Sequence, residues 1–193
     1  ASSVLQFASI SFDASIWEIA MALASGARLI LAAREVMLPG QPLLDLLRQQ
    51  AVSHTLLPPA LLAGMQDDAQ IAPLTLLVGG EACPPDVARH WGRRHRFINA
   101  YGPSEITVCA STWEYRPESA DRAEDRLDSG TPIGRPLANT RIYILDASGQ
   151  LVPRGVAGEI WIGGQGVAIG YLNRPDLSRE RFCPDPFHET PGQ

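Results

Sequence analysis

Apolar residues along the chain fall into short runs divided by turn formers, and the runs alternate between strand and helix periods. Val4 to Ala8 reads as a compact strand, and Asp13 then opens an amphipathic stretch through Ala24 that Ser25-Gly26 closes. Asp13 stands where a helix N-cap belongs. Ala27 to Ala32 reads as strand, Leu43 to Gln50 as helix and Val52 to Leu57 as strand, before Pro58-Pro59 starts another helix. Leu74 to Val78 is a buried strand with Gly79-Gly80 as its exit turn, Pro84 to Trp91 a helix and Arg96 to Ala100 a strand. This alternation predicts a parallel sheet with helices on both faces. In such sheets ligands bind beyond the carboxyl ends of the strands, which directs attention to the segments after Leu57, Val78 and Ala100.

The rhythm changes between Glu114 and Ser129, where Pro117, Asp121, Glu124, Asp125 and Asp128 make the composition polar and charged. A surface loop and a subdomain boundary are expected there. Beyond it, Thr140 to Asp146, Leu151-Val152 and Glu159 to Gly163 are short strand candidates around the turn Ala147-Ser148-Gly149, an antiparallel or barrel-like element. The stretch from Cys183 to Gln193 is rich in proline and polar residues. The expected fold class is therefore α/β: a flavodoxin-like parallel sheet with flanking helices over residues 1–128, followed by a smaller β-rich, barrel-like part over 129–193.

An apolar fraction of 45% suffices for a real core. No run of about eighteen apolar residues occurs, and Ala1-Ser2-Ser3 lacks the basic-then-apolar layout of a secretory signal. A cytoplasmic protein without a membrane segment is expected. The net charge is -5, and basic residues are scattered apart from Arg93, Arg94, His95 and Arg96, so the broad positive face that nucleic-acid binding requires is missing. That basic run reads as a solvated helix end. Cys83, Cys109 and Cys183 are odd in number and widely spaced, which suits free thiols better than a disulfide framework or a zinc site. His54, His90, His95 and His188 contain no pair spaced to put two metal ligands on one helix face. All 16 basic residues are arginine. Arginine substitutes poorly for the compact ammonium of a catalytic lysine, so chemistry needing that group must draw it from outside the chain.

The densest chemistry lies in Asn99-Ala100-Tyr101-Gly102-Pro103-Ser104-Glu105, which leaves a strand through a Gly-Pro turn. Such a loop can stack a flat ring on Tyr101, hydrogen-bond a phosphate through Ser104 and hold Mg²⁺ through Glu105. Taken alone it is equally a decorated turn. The segment resembles the adenine and metal loop of adenylate-forming enzymes, Asn-x-Tyr-Gly-Pro-Thr-Glu. Two further stretches match in order: Phe12-Asp13-Ala14-Ser15-Ile16-Trp17-Glu18, and the run from Gly158 to Leu172 that includes Gly158-Glu159-Ile160-Trp161 and Gly170-Tyr171-Leu172. The chain thus resembles, over essentially its whole length, the central part of a non-ribosomal peptide synthetase adenylation domain. General acyl-CoA synthetases and luciferases share the Tyr-Gly-Pro-Ser/Thr-Glu loop but seldom the Phe-Asp-x-Ser element. Ser104 in place of threonine keeps the hydroxyl, and Ile169 stands where the family usually has arginine.

The resemblance implies that Asp13 pairs with the α-ammonium of an amino acid, with helix capping as the plain alternative. It implies Ala14, Trp17, Leu56, Leu77, Gly79, Ala100, Val108 and Cys109 as the rest of the side-chain pocket, though each reads singly as core. A lining that is apolar but for one carboxylate suits a large apolar amino acid, leucine or phenylalanine. Gly80, Glu81 and Ala82 are implied along the adenine and Asn99 and Tyr101 around its ring, with Gly102 in the same nucleotide loop. Ser104 falls near the α-phosphate and Glu105 on Mg²⁺. Gly79-Gly80 also reads as an ordinary strand exit. The implied activity is ATP-dependent formation of an aminoacyl-adenylate with release of pyrophosphate, then acyl transfer to the phosphopantetheine thiol of a carrier protein domain. By the same resemblance the phosphate loop ending in Lys-Gly lies upstream, the Thr-Gly-Asp element follows Gln193, and the lysine that contacts the carboxylate sits in a C-terminal subdomain. No catalytic residue is then expected within the chain, which should be inactive without the rest of the adenylation domain. Two other readings stay open: a non-catalytic binding or scaffold module of the same fold, and a ligase activating an aryl or fatty acid, against which the Asp13 element argues.

Overall fold

Each strand expected before Gly102 forms; the first starts one residue early and stops at Leu5, the last runs on to Tyr101, and the three between are shortened at their ends. The computed structural model describes residues 2–117, 127 and 130–187, and the chain divides into two units, 1–101 with 112–134 and 102–111 with 135–193. In the first unit the elements run β1 (Ser3–Leu5), α1 (Ala14–Ala24), β2 (Arg28–Ile30), α2 (Gln41–Gln49), β3 (His54–Leu57), α3 (Pro59–Ala63), β4 (Thr75–Val78), α4 (Pro85–Trp91), β5 (Arg96–Tyr101) and β6 (Ser111–Glu114). β1 pairs in parallel with β2 and β3, β3 with β4, and β4 with β5. The strands lie in the order β2-β1-β3-β4-β5-β6. Its first five members follow the flavodoxin-like order, whose reversal falls between β1 and β3.

Helix α2 shows the ordinary logic of a surface helix. It buries Leu43, Leu44 and Leu47 on one stripe, each burial contributing at most about 1.5–3 kcal/mol. Those leucines join Leu5, Leu57, Leu76, Val78 and Phe97 of the sheet and Val87 and Trp91 of α4 in one core. Helix α1 is turned the other way. It buries Ser15, Glu18 and Ala22 and leaves Ile16 and Leu23 exposed. The amphipathic helix expected here exists, but its inward stripe is small and polar because Ser15 and Glu18 find hydrogen-bond partners there.

The basic run at Arg93–Arg96 is not simply a solvated helix end. Arg94 donates to Asp67 Oδ2 at 2.7 Å and to the carbonyl of Ile71 at 2.7 Å. His95 is buried, with Nδ1 accepting the Leu74 N–H at 3.3 Å and Nε2 3.0 Å from Asp67 Oδ1. Burial raises the Asp67 carboxyl, but hydrogen bonds from His95 and Arg94 outweigh it and leave the group below its ordinary value. The acidic partner lies 27 residues back from Arg94, beyond the reach of a local pattern. In the polar stretch Glu114–Ser129, Leu127 is buried in the core, so that residue at least is not part of a surface excursion. Residues 118–126, 128 and 129, including both sides of the expected boundary, lie outside the described residues, as does His188.

The second unit contains β7 (Arg135–Pro136), β8 (Thr140–Leu145), β9 (Glu159–Gly164) and α5 (Pro175–Arg181). β8 and β9 pair antiparallel, with Ile142 opposite Ile162 and Tyr143 opposite Trp161. Asp146 Oδ1 shapes the turn after β8 by accepting the N–H groups of Ser148 at 2.8 Å and Gln150 at 2.9 Å. The strand expected at Leu151-Val152 is reduced to one bridge, Leu151 to Leu145. Helix α5 falls where the sequence pattern assigned no element. Among the described residues no helix is long and apolar enough to cross a membrane, and none of the three cysteines is in a disulfide.

Candidate functional site

The turn into α1 is built by Ser15, whose hydroxyl donates to the Phe12 carbonyl at 2.7 Å. The Asp13 carbonyl accepts the N–H groups of Ile16 at 2.9 Å and Trp17 at 3.3 Å. Asp13 occupies the N-cap position, but in helical geometry (φ -61°, ψ -26°) and without a side-chain capping hydrogen bond. Capping therefore does not explain this carboxylate. It is half-buried, with no hydrogen bond or ion pair to another described residue. Five residues on, Glu18 is fully buried and accepts the backbone N–H groups of Phe7 and Ala8, each at 3.1 Å. Burial pushes its carboxyl up against the opposing pull of those bonds. Glu18 thus ties the loop leaving β1 to the helix that carries Asp13, Ala14 and Trp17.

At the ends of the central strands, Leu56 of β3 is in register with Leu77 of β4, and Val78 with Asn99 of β5. Gly79 and Ala100 also meet. A Cβ on Gly79 would stand 2.8 Å from the Ala100 carbonyl oxygen, a close approach that only glycine permits. Gly80 follows in the left-handed region at φ 84°. Gly80, Glu81 and Ala82 are exposed, and Glu81 Oε1 accepts the Ala60 N–H at 2.7 Å, occupying one of the donors at the start of α3. Next to them burial pushes the Cys83 thiol up to about 11, which keeps it protonated and inert. Asn99 is buried and its side-chain amide donates to the Pro132 carbonyl at 2.8 Å, while Tyr101 is half-buried.

The remaining candidates lie in the 102–111 segment of the second unit. Gly102 packs against the backbone of Val108, Cys109 and Ala110, where a Cβ would approach within 2.7 Å of the Val108 carbonyl oxygen. Thr107 and Val108 both have positive φ, 62° and 72°, and the Cys109 N–H donates to the Thr107 carbonyl at 2.9 Å. That is a γ-turn centred on a β-branched residue, an uncommon and strained arrangement. Ser104 is exposed and Glu105 half-buried. The Tyr171 phenol donates to Glu105 Oε1 and is itself pushed up in pKa, chiefly by that bond. Mg²⁺ in nucleotide enzymes is held by one or two carboxylates together with waters and phosphate oxygens. Among the described residues no group of three or more His, Cys, Asp and Glu side chains is placed to hold a metal. Glu105 therefore fits an ion that shares its shell with a phosphate, not one enclosed by protein.

Ser15, Glu18 and Tyr171 carry structural work that sequence reasoning did not assign. All three lie inside the matched motifs, which was the available signal. A parallel sheet of this order, with polar and glycine-rich segments past its strand ends, defines a doubly wound α/β ligand-binding protein. A family model described as AMP-binding enzyme matches residues 1–172, and the chain belongs to that family. Bacitracin synthase 3 of Bacillus licheniformis is 45% identical over 187 residues, covering 96% of this chain and 3% of its own length. Chondramide synthase cmdD of Chondromyces crocatus is 46% identical over 191 residues, covering 99% of this chain and 5% of its own length. Among solved structures, the four-domain nonribosomal peptide synthetase holo-AB3403, bound to AMP and glycine, matches with a TM-score of 0.83 at 33% identity, over 96% of this chain and 14% of that one. The resemblance to a peptide synthetase adenylation domain thus holds across the chain, which spans only a small part of each of these relatives.

Proposed function

We propose that the chain is the amino-acid recognition core of a peptide synthetase adenylation domain, activating a large apolar amino acid, leucine or phenylalanine, with ATP. The observation that carries this reading is the Asp13 carboxylate, half-buried at the start of α1 with no hydrogen-bond or ion-pair partner among the described residues. A buried ammonium finds there the counter-charge that offsets its desolvation, which favours α-amino acids over plain carboxylic acids. Ala14, Trp17, Leu56, Leu77, Gly79, Ala100, Val108 and Cys109 would meet the substrate side chain without offering a second charge.

For the nucleotide, Tyr101 would stack on the adenine beside Gly80, Glu81 and Ala82. Asn99, anchored through its amide N–H, offers its carbonyl oxygen, and Gly102 shapes the loop. Ser104 would donate its hydroxyl to the α-phosphate, leaving attack by the substrate carboxylate to form the aminoacyl-adenylate and release pyrophosphate. Glu105 would hold Mg²⁺, which when bound neutralises charge on the phosphate oxygens. The protein's part is positioning and charge complementarity. In this reading residues 1–128 serve recognition and 129–193 continue the domain, in a cytoplasmic enzyme whose product passes to the phosphopantetheine thiol of a carrier domain. Without a lysine the chain alone is inactive.

The test is amino-acid-dependent exchange of pyrophosphate into ATP by an adenylation domain of full family length carrying this chain. Leucine or phenylalanine should support exchange, while aspartate, lysine and glycine should not. Discrimination among apolar side chains differing by one methylene is worth only about 1–3 kcal/mol, so methionine should leak through. Asp13→Ala should abolish exchange with every amino acid while stability stays within about 0.5 kcal/mol, since no capping bond is lost. Undiminished exchange in that variant refutes the assignment.

A further inference from the structure

We infer that Tyr171 is a positioning residue for Glu105, fixing the direction in which that carboxylate presents its oxygens to the divalent ion accompanying the nucleotide. The inference rests on the reading of Glu105 given above. Glu105 sits in a turn of three residues, Ser104–Ile106, too short to hold a side chain by packing along a helix. The segment around Gly164 to Tyr171 is nevertheless fastened to this turn at three points. The Ala168 N–H donates to the Glu105 carbonyl at 2.8 Å, and the Thr107 hydroxyl donates to the Gly166 carbonyl at 2.7 Å. The Tyr171 phenol donates to Glu105 Oε1. The first two contacts align backbones; the third reaches the carboxylate. Gly166 permits this closeness, because a Cβ there would lie 2.8 Å from the Ile106 carbonyl oxygen.

Tyr171 is itself held in a frame. Its N–H donates to Ser178 Oγ at 2.8 Å, and Ser178 Oγ in turn donates to the Arg174 carbonyl at 2.8 Å. Its ring meets that of Phe182 edge-on, with centroids 5.3 Å apart. The hydroxyl therefore arrives at Glu105 from a side chain anchored on α5. An ionised carboxylate has about four acceptor directions, so a phenol bond can orient the group without using up its capacity for a cation. Outer hydrogen bonds of this kind tune metal affinity by about 10–100-fold.

The experiment uses an adenylation domain of full family length carrying this chain, with ATP and Mn²⁺. Water-proton relaxation enhancement reads Mn²⁺–ATP held on the protein apart from that in solution. Tyr171→Phe keeps the ring contact with Phe182 and removes only the hydroxyl. Glu105→Gln and Tyr171→Phe should both weaken Mn²⁺ binding, the latter by about tenfold or more, with the melting temperature and the KM for the amino acid unchanged. Wild-type Mn²⁺ affinity in Tyr171→Phe alongside weakened binding in Glu105→Gln overturns the inference and leaves the reading of Glu105 standing. Wild-type affinity in Glu105→Gln removes that reading and the inference together. A lowered melting temperature with intact Mn²⁺ affinity makes Tyr171 merely structural and also overturns it. Should Tyr171→Phe fail to fold, Ser178→Ala carries the test by loosening the frame: weakened binding sustains the inference and unchanged binding refutes it.

Discussion

Between Gly79 and the carbonyl of Ala100 there is no room for a methyl group. The sequence marks Gly79-Gly80 as a strand exit, and a turn would have sufficed to explain both residues. What it could not show is that Gly79 is required by a neighbour 21 positions away, across β4 and β5, and not by its own dihedral angles, whereas Gly80 is required by a positive φ. Gly79→Ala should therefore destabilise by about 1–3 kcal/mol, the usual cost of overpacking. Gly64→Ala should be nearly neutral, because its nearest neighbour to a new Cβ is an ordinary 3.6 Å away and its φ is not positive. Thermal denaturation of the two variants checks the contrast, and equal losses would show that the β4–β5 contact gives way easily. Asp13 carries the same lesson. Its position at a helix start was legible, but the lack of a side-chain capping bond there was not.

Elements were readable where apolar runs are bounded by Gly, Pro or Ser, as at β3 with Pro58-Pro59 and β4 with Gly79-Gly80. They were not readable where partners are distant. The outward apolar residues of α1 mislead, because its buried face is set by Glu18 reaching the N–H groups of Phe7 and Ala8. At the other end of the sheet, Asp67 joins the segment before β4 to the end of α4 through Arg94 and His95. Its carboxyl titrates below the ordinary value, so the unfolded chain binds the proton more readily than the folded one. The stabilisation is therefore complete above the unfolded aspartate value of about 3.9 and is lost as pH falls through the lower folded value. Asp67→Asn should cost about 1.5–3 kcal/mol at neutral pH, the scale of a hydrogen bond to a charged group. The melting curves of variant and wild type should converge below about pH 3.9. A gap that stayed constant across that range would mean that the aspartate acts through packing and not through its charge.

At the scale of the whole molecule, three ordered motifs made the family legible, while the division into units did not follow chain order. The second unit takes residues 102–111 out of the middle of the chain before the first resumes at Thr112. No periodicity announces such an excursion. The absence of lysine is the composition fact with the clearest consequence for activity. Purified as the 193-residue chain, the protein should show no amino-acid-dependent pyrophosphate exchange with ATP, whatever it binds. Robust exchange would mean that an arginine performs the task of the missing ammonium. The left-handed backbone at Thr107 and Val108 bears on something else: how such a chain drifts over generations. Codon changes at position 108 are screened by the backbone before any ligand is met. Glycine and asparagine are most at ease at positive φ, and every other residue there, the present valine included, carries a strain cost. In the proposed pocket, new ligand preferences would then be left to arise at positions with ordinary dihedral angles, such as 14, 17 and 56.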